Sequence, residues 1–146
     1  MATLLALREK GVALPAATIL LSPWTDLEGL GESAEARVHM DPMIETGAMR
    51  MTAQLYYQDH DPWNPLISPI HADLSGLPPM LVQVGGAEVL FDDSVRLVDR
   101  ARACGVDARL DAWEGMIHVW QFFAGLIPEG QKAIDQLGAF LRERLG

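Results

Sequence analysis

The stretch Leu77–Ser94, L-P-P-M-L-V-Q-V-G-G-A-E-V-L-F-D-D-S, decides how this chain folds. Met80–Val84 is a short apolar run without alternation. It is entered through Pro78-Pro79 and left through Gly85-Gly86. A strand covered on both faces reads this way, as in a parallel sheet. Beyond the glycines, Leu90, Ser94, Leu97 and Ala101 recur at helical spacing, and Gly105 closes the run. Strand, glycine turn and helix in that order begin an α/β alternation.

The alternation continues in both directions. Upstream, Ala16–Leu21 (A-A-T-I-L-L) is a second unalternating apolar run, bounded by Pro15 and Ser22-Pro23. Before it, Met1–Lys10 is built of helix formers, with Gly11 as a stop and no N-cap, so the helix begins in its middle. Downstream, Val106–Trp113 (V-D-A-R-L-D-A-W) alternates apolar and polar, which suits a half-exposed strand at a sheet edge. Ile134, Leu137, Leu141 and Leu145 predict a C-terminal helix. In the middle, Asp41-Pro42 offers an N-cap with Pro at the first helical position, followed by the stripe Ile44, Ala48, Met51 and Leu55. Trp24–Met40 and His60–Leu77 read as loops. The expected fold is α/β, with about three parallel strands and flanking helices. The first strand carries no protecting Pro or charge, so the sheet reads as one side of a larger one, prone to poor solubility or an irregular contact.

The 146 residues are enough for one domain with a core, and 49% of them are hydrophobic. With 20 acidic against 11 basic residues, the formal charge is -9. A negative surface repels phosphate backbones and anionic lipid, so nucleic acid and membrane are not expected partners. No apolar run approaches the roughly 20 residues of a membrane span, and no signal-like leader is visible. The single cysteine, Cys104, reads as a small buried residue at a helix end rather than a reactive thiol. A cytoplasmic location fits these features.

Functional groups of parallel α/β sheets gather beyond the carboxyl ends of the strands. Three segments belong there: Ser22–Asp26, Gly85–Glu88 and Gly115–His118. A neutral histidine can accept a proton on one nitrogen while a carboxylate holds the other. His118 and Glu88 follow neighbouring strands and suit those two roles. Taken alone, His118 among Met116, Ile117, Val119 and Trp120 reads first as a partly buried structural histidine, and Glu88 as a surface carboxylate or helix N-terminal charge.

Longer motifs separate these readings. L-L-S-P-W-T-D-L (Leu20–Leu27), D-P-M-I (Asp41–Ile44), N-P-L-I-S-P-I (Asn64–Ile70), the Leu77–Ser94 stretch and G-M-I-H-V-W-Q-F-F (Gly115–Phe123) resemble, in order, the C-terminal half of bacterial hormone-sensitive-lipase-like carboxylesterases of the α/β-hydrolase fold. The resemblance spans essentially the whole chain. It implies a Ser-acid-His hydrolase of small-molecule carboxylic esters that needs no cofactor. His118 matches the family's catalytic histidine. Laying G-G-A-E-V-L-F-D-D on the family's A-E-x-D-P-L-x-D pattern puts Glu88 at the catalytic acid. Asp92 and Asp93 then serve the first turn of the following helix. Trp24, Ile117 and Val119 are the expected pocket residues, with Trp63 a further wall or a packing residue.

The family's G-x-S-x-G nucleophile turn and H-G-G oxyanion motif have no match in the sequence. Gly31-Glu32-Ser33-Ala34 imitates the elbow, but Glu35 stands where a second glycine is needed and no strand precedes it. The opening helix matches the one that follows the family's nucleophile. The expectation is therefore a partial hydrolase domain over residues 1–146, holding acid and base without the serine and inactive alone. A truncated gene, a misplaced start or a deliberate fragment would each look so. The alternatives are a non-catalytic α/β binding module, or a subunit completing a split hydrolase. The resemblance further implies a homodimer, since related esterases often join this outer Val106–Trp113 edge to its two-fold mate. Asp59-His60-Asp61 reads as a solvated loop, because adjacent side chains diverge, and no metal site is expected.

Overall fold

A computed structural model describes residues 1–29 and 31–146. Leu30, inside the expected loop Trp24–Met40, lies outside the described residues. Helix α1 (Ala2–Glu9) leads to strand β1 (Thr18–Leu21), then to an excursion with helices α2 (Ser33–Ala36) and α3 (Thr46–Tyr57) and a 3-10 turn at Pro69–His71. Strand β2 (Met80–Gly85), helix α4 (Phe91–Ala103), strand β3 (Ala108–Trp113), a 3-10 turn at Trp120–Phe123 and helix α5 (Pro128–Leu145) complete the chain.

The sheet is parallel in the order β1-β2-β3. Thr18 pairs with Met80 and Leu21 with Gln83; Met80 pairs with Ala108 and Gly85 with Trp113. The run Met80–Val84 is buried throughout because β2 is central and covered on both faces. β3 shows the mixed exposure its alternation predicts for an edge. β1 pairs on one side only among the described residues. The core joins Leu4 and Leu5 of α1 to Val82 of β2, to Leu97, Val98 and Ala101 of α4, and to Leu74 and Leu77 of the entry loop. The stripe Leu90, Ser94, Leu97 and Ala101 is buried in full.

Two helices differ from expectation. The middle helix begins at Thr46, capped by Glu45, whose carboxylate accepts from the N–H groups of Gly47 and Ala48. Asp41 instead accepts from Met43 and Ile44 N–H with Oδ1 and from Val89 N–H with Oδ2, fastening the excursion to the β2–α4 turn. The expected α3 stripe also faces outward: Met51 is 60% and Leu55 70% exposed, while Ala53 is the residue buried. In α5 the buried residues are Gly130, Ala133 and Phe140, so the inner face is rotated from Ile134 and Leu145, both exposed. Gly130 permits that face to close, since a β-carbon there would lie 2.8 Å from Ala124 backbone atoms.

Candidate active site

All three strands end on one side of the sheet, and the segment after each contributes to one cluster. Ser22 follows β1 directly, Glu88 sits in the turn between β2 and α4, and His118 stands in the loop after β3. Gly85 and Gly86 let the second and third segments meet. A β-carbon on Gly85 would fall 2.2 Å from the Met116 carbonyl oxygen, and one on Gly86 would be 3.1 Å from Glu114 Cα. In that space Gly86 N–H donates to the Trp113 carbonyl at 2.7 Å and Ala87 N–H to the Met116 carbonyl at 3.0 Å.

Nδ1 of His118 lies 2.9 Å from Oε2 of Glu88. The carboxylate is fully buried, whereas the imidazole is 18% exposed. Oε1 of Glu88 accepts from Gly85 N–H at 2.5 Å and from the Ser22 hydroxyl at 2.7 Å. The carboxylate's oxygens are thus divided, one anchored to the sheet and one facing the imidazole. A carboxylate against Nδ1 favours the tautomer with its proton there, which leaves the Nε2 lone pair free to accept. The hydrogen bonds found for His118 side-chain nitrogens among the described residues involve Nδ1 alone.

The excursion braces this turn from behind. Arg37 packs over the Phe91 ring at 3.8 Å and donates to the Gly86 carbonyl at 2.5 Å. The Ser33 hydroxyl donates to the Val89 carbonyl at 2.7 Å and accepts from Asp92 N–H at 3.0 Å. Ser33 is therefore a buried strut, in keeping with its exclusion as a nucleophile. Asp92 and Asp93 do lie in the first turn of α4, but both also hold loops. Asp92 accepts from Ser33 N–H, and Asp93 accepts from Thr25 and Asp26 N–H. Burial pushes the Asp93 carboxyl up to about 6, assisted by the neighbouring Asp26 charge and opposed by those two hydrogen bonds and by Arg96. On the other side, Gln121 donates to Gln83 Oε1 at 2.9 Å, and Gln83 donates to Asp111 and to the Ala133 carbonyl. This buried network ties the residues after His118 to the central strand and α5.

The expected pocket residues separate. Trp24 lines an apolar groove of about 470 Å³ with Ile19, Leu21, Tyr56 and Leu66. Ile117 and Val119 stay with the His118 loop, outside that lining. Trp63 packs on the His71 ring at 4.3 Å, and His71 Nε2 lies 3.7 Å from Asp26, which Arg96 binds at 2.6 Å. The sequence offered no sign of that cluster. Asp59, His60 and Asp61 are exposed. Among the described residues no group of three or more His, Cys, Asp or Glu gathers to hold a metal, and no helix is long and apolar enough to cross a membrane.

Three parallel strands with an acid and a histidine at their carboxyl ends place the chain in a known class. It belongs to the α/β-hydrolase fold family, whose sequence profile matches residues 1–122. Within it, the chain is similar to the C-terminal half of bacterial hormone-sensitive-lipase-family esterases. One such esterase of known structure is 51% identical with a TM-score of 0.97, covering 99% of this chain and 49% of that one. An acetyl-hydrolase of Streptomyces hygroscopicus is 43% identical over 145 residues, which is 99% of this chain and 48% of that protein. An esterase of Acinetobacter venetianus is 34% identical over 137 residues, 93% of this chain and 45% of that protein. The chain spans about half the length of the curated relatives it matches.

Proposed function

We propose that this chain carries the acid and base of a carboxylic ester hydrolase working by a Ser-Glu-His mechanism. The observation that carries the reading is the buried Glu88 carboxylate, 2.9 Å from His118 Nδ1, with no hydrogen bond on the opposite ring nitrogen among the described residues. His118 takes the proton of a serine hydroxyl as the serine attacks the ester carbonyl, and returns it to the departing alkoxide. Glu88 stabilises the imidazolium formed between those steps. The names of the similar acetyl-hydrolase and esterases support an ester as substrate. The apolar groove beside Trp24 suits its hydrocarbon part.

The serine and the oxyanion donors belong to a segment outside these 146 residues. Two observations support this: no G-x-S-x-G or H-G-G occurs in the sequence, and the relatives are about twice as long. Losing a triad serine costs about a million-fold in rate. The isolated chain is accordingly expected to hydrolyse p-nitrophenyl acetate and butyrate no faster than its His118→Ala variant. Turnover well above that control would refute the assignment. The outer edge of β3, which bears no further strand among the described residues, is the surface we assign to a homodimer. A monomer by light scattering at tens of micromolar would exclude it.

A further inference from the structure

Ser22 is buried at the end of β1 with φ +45°, in the left-handed region where glycine is at ease and serine is not. Its hydroxyl is used twice, donating to Glu88 Oε1 at 2.7 Å and accepting from Val119 N–H at 3.2 Å. Val119, the residue after His118, is also left-handed at φ +47°, a strained setting for a β-branched side chain. Two strained residues are thus hydrogen-bonded to each other, across 97 positions of sequence. Such strain persists only where the surroundings over-determine it, and it concentrates at functional sites.

We propose that Ser22 is a positioning residue for the Glu88–His118 pair. Its hydroxyl fixes the plane of the carboxylate by occupying one oxygen, which keeps the other aimed at Nδ1, and it clips the base loop to the same point. The inference rests on reading that pair as acid and base. A hydroxyl both donates and accepts, which the two contacts require. Glycine would suit the backbone better but supplies neither function. Threonine supplies both at the expense of a branched β-carbon at positive φ.

That contrast separates positioning from folding. Ser22→Gly relaxes the backbone and removes the hydroxyl, whereas Ser22→Thr keeps the hydroxyl and adds strain. In the 146-residue chain with ¹⁵N-labelled histidine, long-range ¹H–¹⁵N correlation spectra read the His118 tautomer, and thermal denaturation reads stability. Ser22→Thr is expected to melt below Ser22→Gly yet keep Nδ1–H as the major neutral form. Ser22→Gly is expected to lose that signature, with Nε2–H becoming the major form. An unchanged Nδ1–H population in Ser22→Gly overturns the proposal whatever the melting temperature, as does its loss in a folded Ser22→Thr chain. If the unsubstituted chain itself lacks the Nδ1–H signature, the reading of the pair fails, and that of Ser22 with it.

Discussion

Gly85 and Met116 approach so closely that any side chain at residue 85 would place a β-carbon 2.2 Å from the Met116 carbonyl oxygen and 2.6 Å from its carbon. Both contacts are with backbone, so no rotamer change relieves them. The same β-carbon would sit 2.9 Å from Glu88 Oε1. The Glu88 turn and the His118 loop are therefore held at a separation only glycine allows. Gly85→Ala should destabilise the chain by about 3 kcal/mol in urea denaturation. Gly86→Ala, whose tightest contact is 3.1 Å, should cost about 1 kcal/mol. Equal effects at the two positions would contradict this account of the close approach.

Glu88→Gln tests the division of the carboxylate's oxygens. The amide oxygen must stay at the Oε1 position to accept from Gly85 N–H and Ser22, which turns the NH2 group toward His118. Nδ1 must then become the acceptor, and the proton moves to Nε2. The expected result is a folded chain whose His118 is in the Nε2–H form by ¹⁵N spectroscopy. Persistence of Nδ1–H would contradict the geometry. Glu88→Ala should instead cost about 2–3 kcal/mol, since it strands the Gly85 N–H and the Ser22 hydroxyl in the interior.

Asp93 sets a pH dependence. Its carboxyl is raised from 3.8 to about 6. Between those values the folded chain binds more proton than the unfolded chain, so stability falls as pH rises. The group's favourable contribution is complete below 3.8 and lost as pH passes about 6. The rise corresponds to about 3 kcal/mol. Asp93→Asn keeps an oxygen for Thr25 and Asp26 N–H and removes the titration. Relative to the unsubstituted chain, this variant should gain up to about 3 kcal/mol between pH 4 and pH 7. A stability difference that stays flat across that range would contradict the shift.

The turn carrying Ser22 is also held by Arg96, 2.6 Å from a fully buried Asp26. Arg96→Met should cost about 3–5 kcal/mol, because it leaves a buried carboxylate without its cation. Adding Asp26→Asn should recover part of that loss. Additive losses in the double variant would mean that the pair is not coupled.

Much of this architecture is written locally. Met80–Val84, framed by Pro78-Pro79 and Gly85-Gly86, has one sensible reading, and the stripe from Leu90 to Ala101 another; both sit as expected. What failed locally was decided by distant partners. Asp41-Pro42 has the form of a helix start, but Asp41 spends its second oxygen on Val89, 48 residues away, and Glu45 caps the helix. Met51 and Leu55 are apolar yet outward-facing, because periodicity shows that a stripe exists and not which surface covers it. The α5 face turned on Gly130 and Phe140, which a search for branched aliphatics passes over. At the site, the segment after each strand was legible from the strand ends. The hydroxyl of Ser22 was not, since its bonds cross 66 and 97 residues and leave no spacing to read.

The proposed pairing of Glu88 and His118 with a serine supplied from outside these residues underlies the whole mechanism. Its most direct test is the p-nitrophenyl butyrate rate of a chimera. The part of the Streptomyces hygroscopicus acetyl-hydrolase that precedes its matching half would be joined ahead of residue 1. Turnover is expected of the chimera and not of the 146-residue chain, with a loss on the order of a million-fold in the chimera on His118→Ala. A folded chimera whose turnover survives His118→Ala, or one that is fully labelled by a fluorophosphonate without His118, would contradict it.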